Sequence, residues 1–143
     1  MSRLPALQRA LASNEPLAQI RSLIPDDGAD EQEVVASALA CIQETRSSGL
    51  SILFDRFDDD ELEKIDHSLE SIGAERPLAE FRKLAEAFQR AIANDEDRQD
   101  AAERLVAEAD SQRIDRASES LVQEMEEKLL AYCQRNVEAL ASE

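Results

Sequence analysis

The sequence predicts an all-α fold, an irregular multi-helix domain of about seven or eight helices, on three observations. Apolar residues recur at three- and four-residue steps along most of the chain, and nothing alternates with period two for more than a few residues. Glycine and proline number only 3 and 4, too few for an all-β chain that turns about every ten residues. Aromatics are 3% and tryptophan is absent, so the core must come from Leu, Ile, Val and Ala. A chain of 143 residues buries roughly two-thirds of its unfolded surface, enough to stand without a metal or disulfide staple.

Each element has its own signal. Leu4, Leu7 and Leu11 share one helical face, with Pro5 tolerated in the first turn. Asn14 is the expected N-cap of a second helix with Pro16 in its first turn and Leu17, Ile20, Leu23 and Ile24 as its stripe. Pro25 to Gly28 reads as a turn. Asp30 as N-cap with Glu33 three residues on has capping-box spacing, and Val34, Val35, Ala38, Leu39 and Ile42 follow until Ser47-Ser48-Gly49. Leu50 to Phe57 fits either a short helix or a turn and loop.

Beyond it the periodicity returns. Asp58 to Glu61 place negative charge at a helix N-terminus, Leu62, Ile65, Leu69 and Ile72 form the buried face, and Gly73 supplies a left-handed cap. Pro77 sits in the first turn of the next helix, which buries Leu78, Phe81, Leu84, Ala85, Phe88 and Ile92 and closes at Asn94. Asp95-Glu96-Asp97 opens a shorter helix with Ala101, Ala102, Leu105, Val106 and Ala109 apolar. One long final helix is expected from Ile114 through Leu121, Met125, Leu129 and Cys133 to Leu140. The chain divides into an N-terminal helical extension, 1–29, and an acidic all-α domain, 30–143. The extension is apolar enough to cover the core or to form a homodimer surface.

The 32 acidic against 16 basic residues give a net charge of −16. That excludes direct nucleic-acid binding through a broad basic patch and argues against anionic membrane surfaces. No stretch approaches a membrane span, and Met-Ser-Arg-Leu-Pro-Ala-Leu has no long apolar run before a cleavage site. The expected compartment is cytoplasmic, with Cys41 and Cys133 as reduced, buried thiols. No nucleophile motif, phosphate loop or paired-histidine metal motif is present, and His67 is the one histidine. Asp58 to Glu61 lack the alternating ligands and central glycine of a calcium loop. The expectation is a non-enzyme without catalytic residues, metal or cofactor.

Acidic rows are the most informative feature. Asp59, Glu63, Asp66 and Glu70 step by four, three and four along one flank of a helix. Glu96, Asp100, Glu103 and Asp110 form a second row, and Asp115, Glu119 and Glu126 a third. Like charges four residues apart cost roughly 0.2–0.5 kcal/mol per pair, so replacing the first row by Asn and Gln is expected to leave the fold intact or slightly more stable. Such rows serve solvation, or they stand where phosphates would.

Leu39-Ala-Cys-Ile42, then Ser48-Gly49-Leu50-Ser51-Ile52-Leu53-Phe54, then Leu69-Glu-Ser-Ile72-Gly73-Ala74, then Ala87-Phe88, and late in the chain Leu129-Leu130-Ala131-Tyr132, resemble the DMP-type DNA-mimic family. These are small bacterial helical domains, and the resemblance spans about 38–140. The turn here has one glycine where the family often has two, Leu50 where it favours an aromatic, and Asp55 at its usual asparagine. The resemblance implies an acidic protein that occupies the DNA-binding surface of a basic protein. Asp59, Glu63, Asp66, Glu70, Glu96 and Asp100 would then pair with the Lys and Arg that hold phosphates. The competing readings are an immunity or antitoxin-type protein that neutralises a toxin or enzyme, and an acidic surface serving solvation alone.

Overall fold

The computed structural model describes residues 3–24, 30–94 and 97–141; the turn expected at 25–28 lies outside the described residues. Among these, ten α-helices occur: α1 (Leu4–Leu11), α2 (Pro16–Arg21), α3 (Asp30–Ser48), α4 (Leu53–Arg56), α5 (Asp59–Ile72), α6 (Glu75–Ala93), α7 (Arg98–Ala107), α8 (Ala109–Arg116), α9 (Ser118–Arg135) and α10 (Val137–Leu140). A 3-10 turn, Leu50–Ile52, precedes α4. No strand is present among the described residues, so the all-α expectation holds.

The longest helices make the frame. α3 packs against α5 on one side and α9 on another, which is why its buried residues spread over Val34, Val35, Ala38, Cys41, Ile42 and Thr45 rather than one narrow stripe. α6 closes over α5 and α9, and α7 leans on α6 and α4. Phe54 of α4 stacks on Phe81 and tilts against Phe88, both of α6, with ring centroids 5.3 Å apart in each pair. The ambiguous 50–57 segment is therefore a 3-10 turn running into one helical turn, and it buries Leu50, Leu53 and Phe54.

α1 and α2 join the same core. Leu7 and Ile20 are fully buried, with Ala10 and Ile24 close behind, and α1 packs on α2, α9 and α10. Leu4, Leu11, Leu17 and Leu23 of this segment are only partly buried against that core, so it covers the core and keeps some apolar surface open. At the far end Gln32 Nε2 donates to the Leu140 carbonyl at 2.9 Å, satisfying an orphan carbonyl of α10.

Several helix ends depart from expectation. Glu15, not Asn14, precedes α2, without a side-chain cap, because Pro16 takes the first helical position. Asp30 is the first helical residue of α3 rather than its cap. The helix expected across 101–109 breaks at Glu108, whose ψ of 148° is extended. The long final helix is three helices, interrupted at Ala117 and Asn136. At both breaks a polar side chain takes a helical carbonyl: Ser118 Oγ donates to Asp115 O at 2.5 Å, and Asn136 Nδ2 to Tyr132 O at 2.8 Å.

α5 is fixed at both ends by its own sequence. Asp58 accepts from Glu61 N at 2.8 Å while Glu61 Oε1 accepts from Asp58 N at 3.2 Å, a reciprocal capping box. Gly73 at φ +78° ends it, with Gly73 N donating to Glu70 O and Ala74 N to Leu69 O, the pairing of a Schellman motif.

The 3-10 turn depends instead on a distant residue. Gly49 has φ +97°, and a Cβ there would lie 2.7 Å from Asp115 Cγ. The Asp115 carboxylate accepts from Ser51 N at 3.0 Å and Ser51 Oγ at 2.6 Å, capping the turn from α8. Likewise Glu124 of α9 accepts from Arg76 N at 3.1 Å in the first turn of α6, whose own N-cap, Ala74, has no side-chain oxygen.

Cys41 and Cys133 are free, unlinked and fully buried. Cys41 Sγ lies 3.8 Å from Met125 Sδ and 3.9 Å from Thr45 Oγ1. Burial raises both thiols from 9.0 to about 12.

These contacts have measurable consequences. Asp115→Ala leaves the buried Ser51 N–H and hydroxyl unpaired and should destabilise by about 2–3 kcal/mol in urea unfolding, against about 1 kcal/mol for Asp115→Asn, which keeps an acceptor. Gly49→Ala should cost about 1–3 kcal/mol from the positive φ alone, before the clash with Asp115. The thiols should react slowly with a thiol reagent near pH 8. Unfolded thiols ionise from 9.0 while the folded ones hold their protons to about 12. Their contribution to stability is thus fully present below pH 9.0 and lost as pH rises through about 12. Urea midpoints of wild type and Cys133→Ala across that range measure one thiol's share.

Candidate interaction surface

The unbroken run of α5 keeps Asp59, Glu63, Asp66 and Glu70 on one flank, as their spacing predicts. What the spacing misses is that neighbouring helices hold three of the four. Arg82 of α6 donates to Asp66 through Nε at 3.1 Å and NH2 at 3.0 Å, and NH2 also reaches Glu70 at 2.9 Å. These bonds, that to Asp66 first, raise the pKa of the guanidinium. Arg98, the first residue of α7, pairs with Asp59 Oδ1 at 2.5 Å, donates to the Phe57 carbonyl at 3.1 Å and stands 5.1 Å from the Phe88 ring centroid. One side chain thereby links the α4–α5 junction, the first turn of α5 and the aromatic core.

Glu63 makes no ion pair among the described residues. It lines a shallow hollow of about 340 Å³ between α3 and α5 with Asp60, Lys64 and His67, where Lys64 pairs weakly with Glu33 at 3.8 Å. His67 is exposed there. Asp100 is exposed on α7, which packs on α4, α6 and the 3-10 turn and reaches α5 through Arg98. Glu96 lies outside the described residues. Among the described residues no group of three His, Cys, Asp or Glu side chains could hold a metal ion, and no helix is long and apolar enough to cross a membrane.

The other two rows are not lines. The extended backbone at Glu108 separates Asp110, on α8, from Asp100 and Glu103, on α7. Asp115 turns inward to Ser51, away from Glu119 and Glu126 on α9, and Glu126 pairs with Arg46 of α3 at 2.7 Å. Sequence reasoning found neither Arg82 nor Arg98 as partners, nor Asp115 and Glu124 as caps. Each acts across helices that are not neighbours on one helical face, so no spacing signals it.

These contacts reverse one expectation. Neutralising the α5 row removes repulsion but also the negative charge that Arg82 and Arg98 pair with, so the Asn and Gln variant should lose rather than gain stability. Arg82→Gln should lower the thermal midpoint at low salt, and the difference from wild type should shrink at about 1 M salt, where the Debye length is about 3 Å. A salt-independent loss would show that Arg82 acts by packing.

Compared with protein families, curated proteins and solved structures, the chain matches none.

Proposed function

We propose that this protein is a non-enzymatic acidic interaction protein that occupies the nucleic-acid-binding surface of a basic protein. The observation that carries this reading is the α5 flank: four carboxylates on one unbroken helix capped at both ends, in a chain of net charge −16. Arg82 and Arg98 restrict Asp59, Asp66 and Glu70 to defined positions, so less side-chain freedom is lost when a partner binds. Asp60 and Glu63, without ion pairs among the described residues, add open charge beside them. The two arginines offset part of the field, and the remaining acidic excess still steers a basic partner. The resemblance to the DMP-type DNA-mimic family points the same way.

The test is a capture of partners on the immobilised full chain, washed with rising salt and challenged with duplex DNA. A basic DNA-binding protein should be retained, released as salt rises, and displaced by DNA. The combined variant Asp59→Asn, Glu63→Gln, Asp66→Asn, Glu70→Gln should bind it several-fold more weakly and with a flatter salt dependence. Binding alongside DNA without competition overturns the phosphate-surrogate reading, and a lone toxin or enzyme as partner assigns the immunity role instead.

A further inference from the structure

A second surface lies along α2, α3 and α9. Two open cavities, of about 740 Å³ and 550 Å³, meet at the Arg46–Glu126 ion pair, which lines both, and together make a trough with that pair across it. Along α9 it runs from Ser118 to Leu130, roughly 18 Å at ~1.5 Å per residue. Its floor includes the half-buried Leu17 of α2, Leu39 of α3 and Leu130 of α9.

The rim decides what fits. Four carboxylates, Glu15, Glu119, Glu126 and Glu127, face two cations, Arg46, which pairs with Glu126, and Arg21, which bonds to the neutral amide of Gln43 and keeps its charge. Glu15, Glu119 and Glu127 make no ion pair among the described residues. The rim therefore presents uncompensated negative charge around an apolar floor. A second copy of the chain would bring another net −16 against it, and like-charge juxtaposition opposes that union. A compact ligand would leave much of an 18 Å trough, roughly three helical turns long, unfilled.

We propose that this trough seats an amphipathic basic helix of the partner, with its apolar stripe on Leu17, Leu39 and Leu130 and its Lys or Arg side chains against Glu119 and Glu127. The mode is helix-in-groove recognition, read through anchors at i, i+3 or i+4, and i+7. The inference rests on the reading that the partner is basic. It is separate from whether α5 replaces DNA.

The probes are three peptides of about 14 residues, long enough for the trough: an amphipathic leucine–lysine helix, its leucine–glutamate counterpart, and a lysine–glycine peptide of equal charge without an apolar face. Each is titrated into the ¹⁵N-labelled full chain at about 0.15 M salt, where exposed charges are screened beyond about 8 Å. The leucine–lysine helix should shift the amides of residues 14–18, 39–47 and 118–130. Leu39→Asn with Leu130→Asn should weaken it about tenfold. Glu119→Gln with Glu127→Gln, both exposed and outside the core, should weaken it several-fold and flatten its salt dependence, which keeps the test valid if the leucine variant fails to fold.

Equal binding of the leucine–glutamate helix overturns the charge assignment, and equal binding of the lysine–glycine peptide shows that the acidic field acts without the trough. Absence of binding by all three also overturns the proposal. Shifts centred on 59–70 overturn the trough while leaving the α5 reading intact. Concentration-dependent shifts at the trough without peptide assign it to a second copy and overturn it as well. Shifts at the trough, together with failure of DNA to compete for the captured partner, support the trough and overturn the phosphate-surrogate reading.

Discussion

The carboxylate of Asp115 holds the junction on which the two halves of the chain depend. α3 ends where Gly49 adopts a positive φ, and the chain re-enters helical geometry with two orphan donors on Ser51 that are filled from α8. The close approach leaves no room for a side chain at position 49. That one interaction sets the path into Leu53 and Phe54, and Phe54 carries the aromatic stack on α6. It also fixes α8 against the turn, so the C-terminal helices enter at a defined position. A part-buried carboxylate bonded to a buried serine is a demanding way to join two segments, because removing the carboxylate leaves the Ser51 donors desolvated and unpaired.

The same economy explains how a chain of −16 stays folded. Carboxylates are used where positive partial charge already exists: at the start of α5 by Asp58 and Glu61, at the 3-10 turn by Asp115, and at α6 by Glu124. Helix N-termini supply unpaired N–H donors and the positive end of the dipole. Basic residues are spent at crossings, with Arg82 between α6 and α5, Arg98 between α7 and α5, and Arg46 between α3 and α9. These pairs are largely exposed, so each adds little alone; their effect is to position carboxylates rather than to bury them. What is left over faces solvent as open charge on α5, α7 and α9.

That division places two different surfaces on one small body. The α5 flank is a positioned row of charge with little apolar surface beside it, suited to ion pairing. The trough of α2, α3 and α9 combines half-buried leucines with glutamates, the chemistry on which the proposed amphipathic basic helix rests. α3 packs against both α5 and α9, so the two surfaces share that helix as their frame.

The sequence by itself determined the helical class, the aliphatic part of the core and the ends of α5, while the buried cluster of Phe54, Phe81 and Phe88 departs from an all-aliphatic core. Period, composition and capping are local properties, and the capping box of Asp58 with Glu61 or the left-handed Gly73 needs only its neighbours. The flank of Asp59, Glu63, Asp66 and Glu70 was legible for the same reason, since one unbroken helix fixes the angle between its residues. The breaks in the final helix are local too, Ser118 and Asn136 taking carbonyls three and four residues back, but apolar period alone does not reveal that competition. Only the tertiary structure turned Asp115 inward, delivered Glu124 to α6, and brought Arg82 and Arg98 onto carboxylates 12 to 39 residues away. Those pairings depend on how helices cross, and crossing is settled by the packing of many side chains at once, which no single spacing along the chain records.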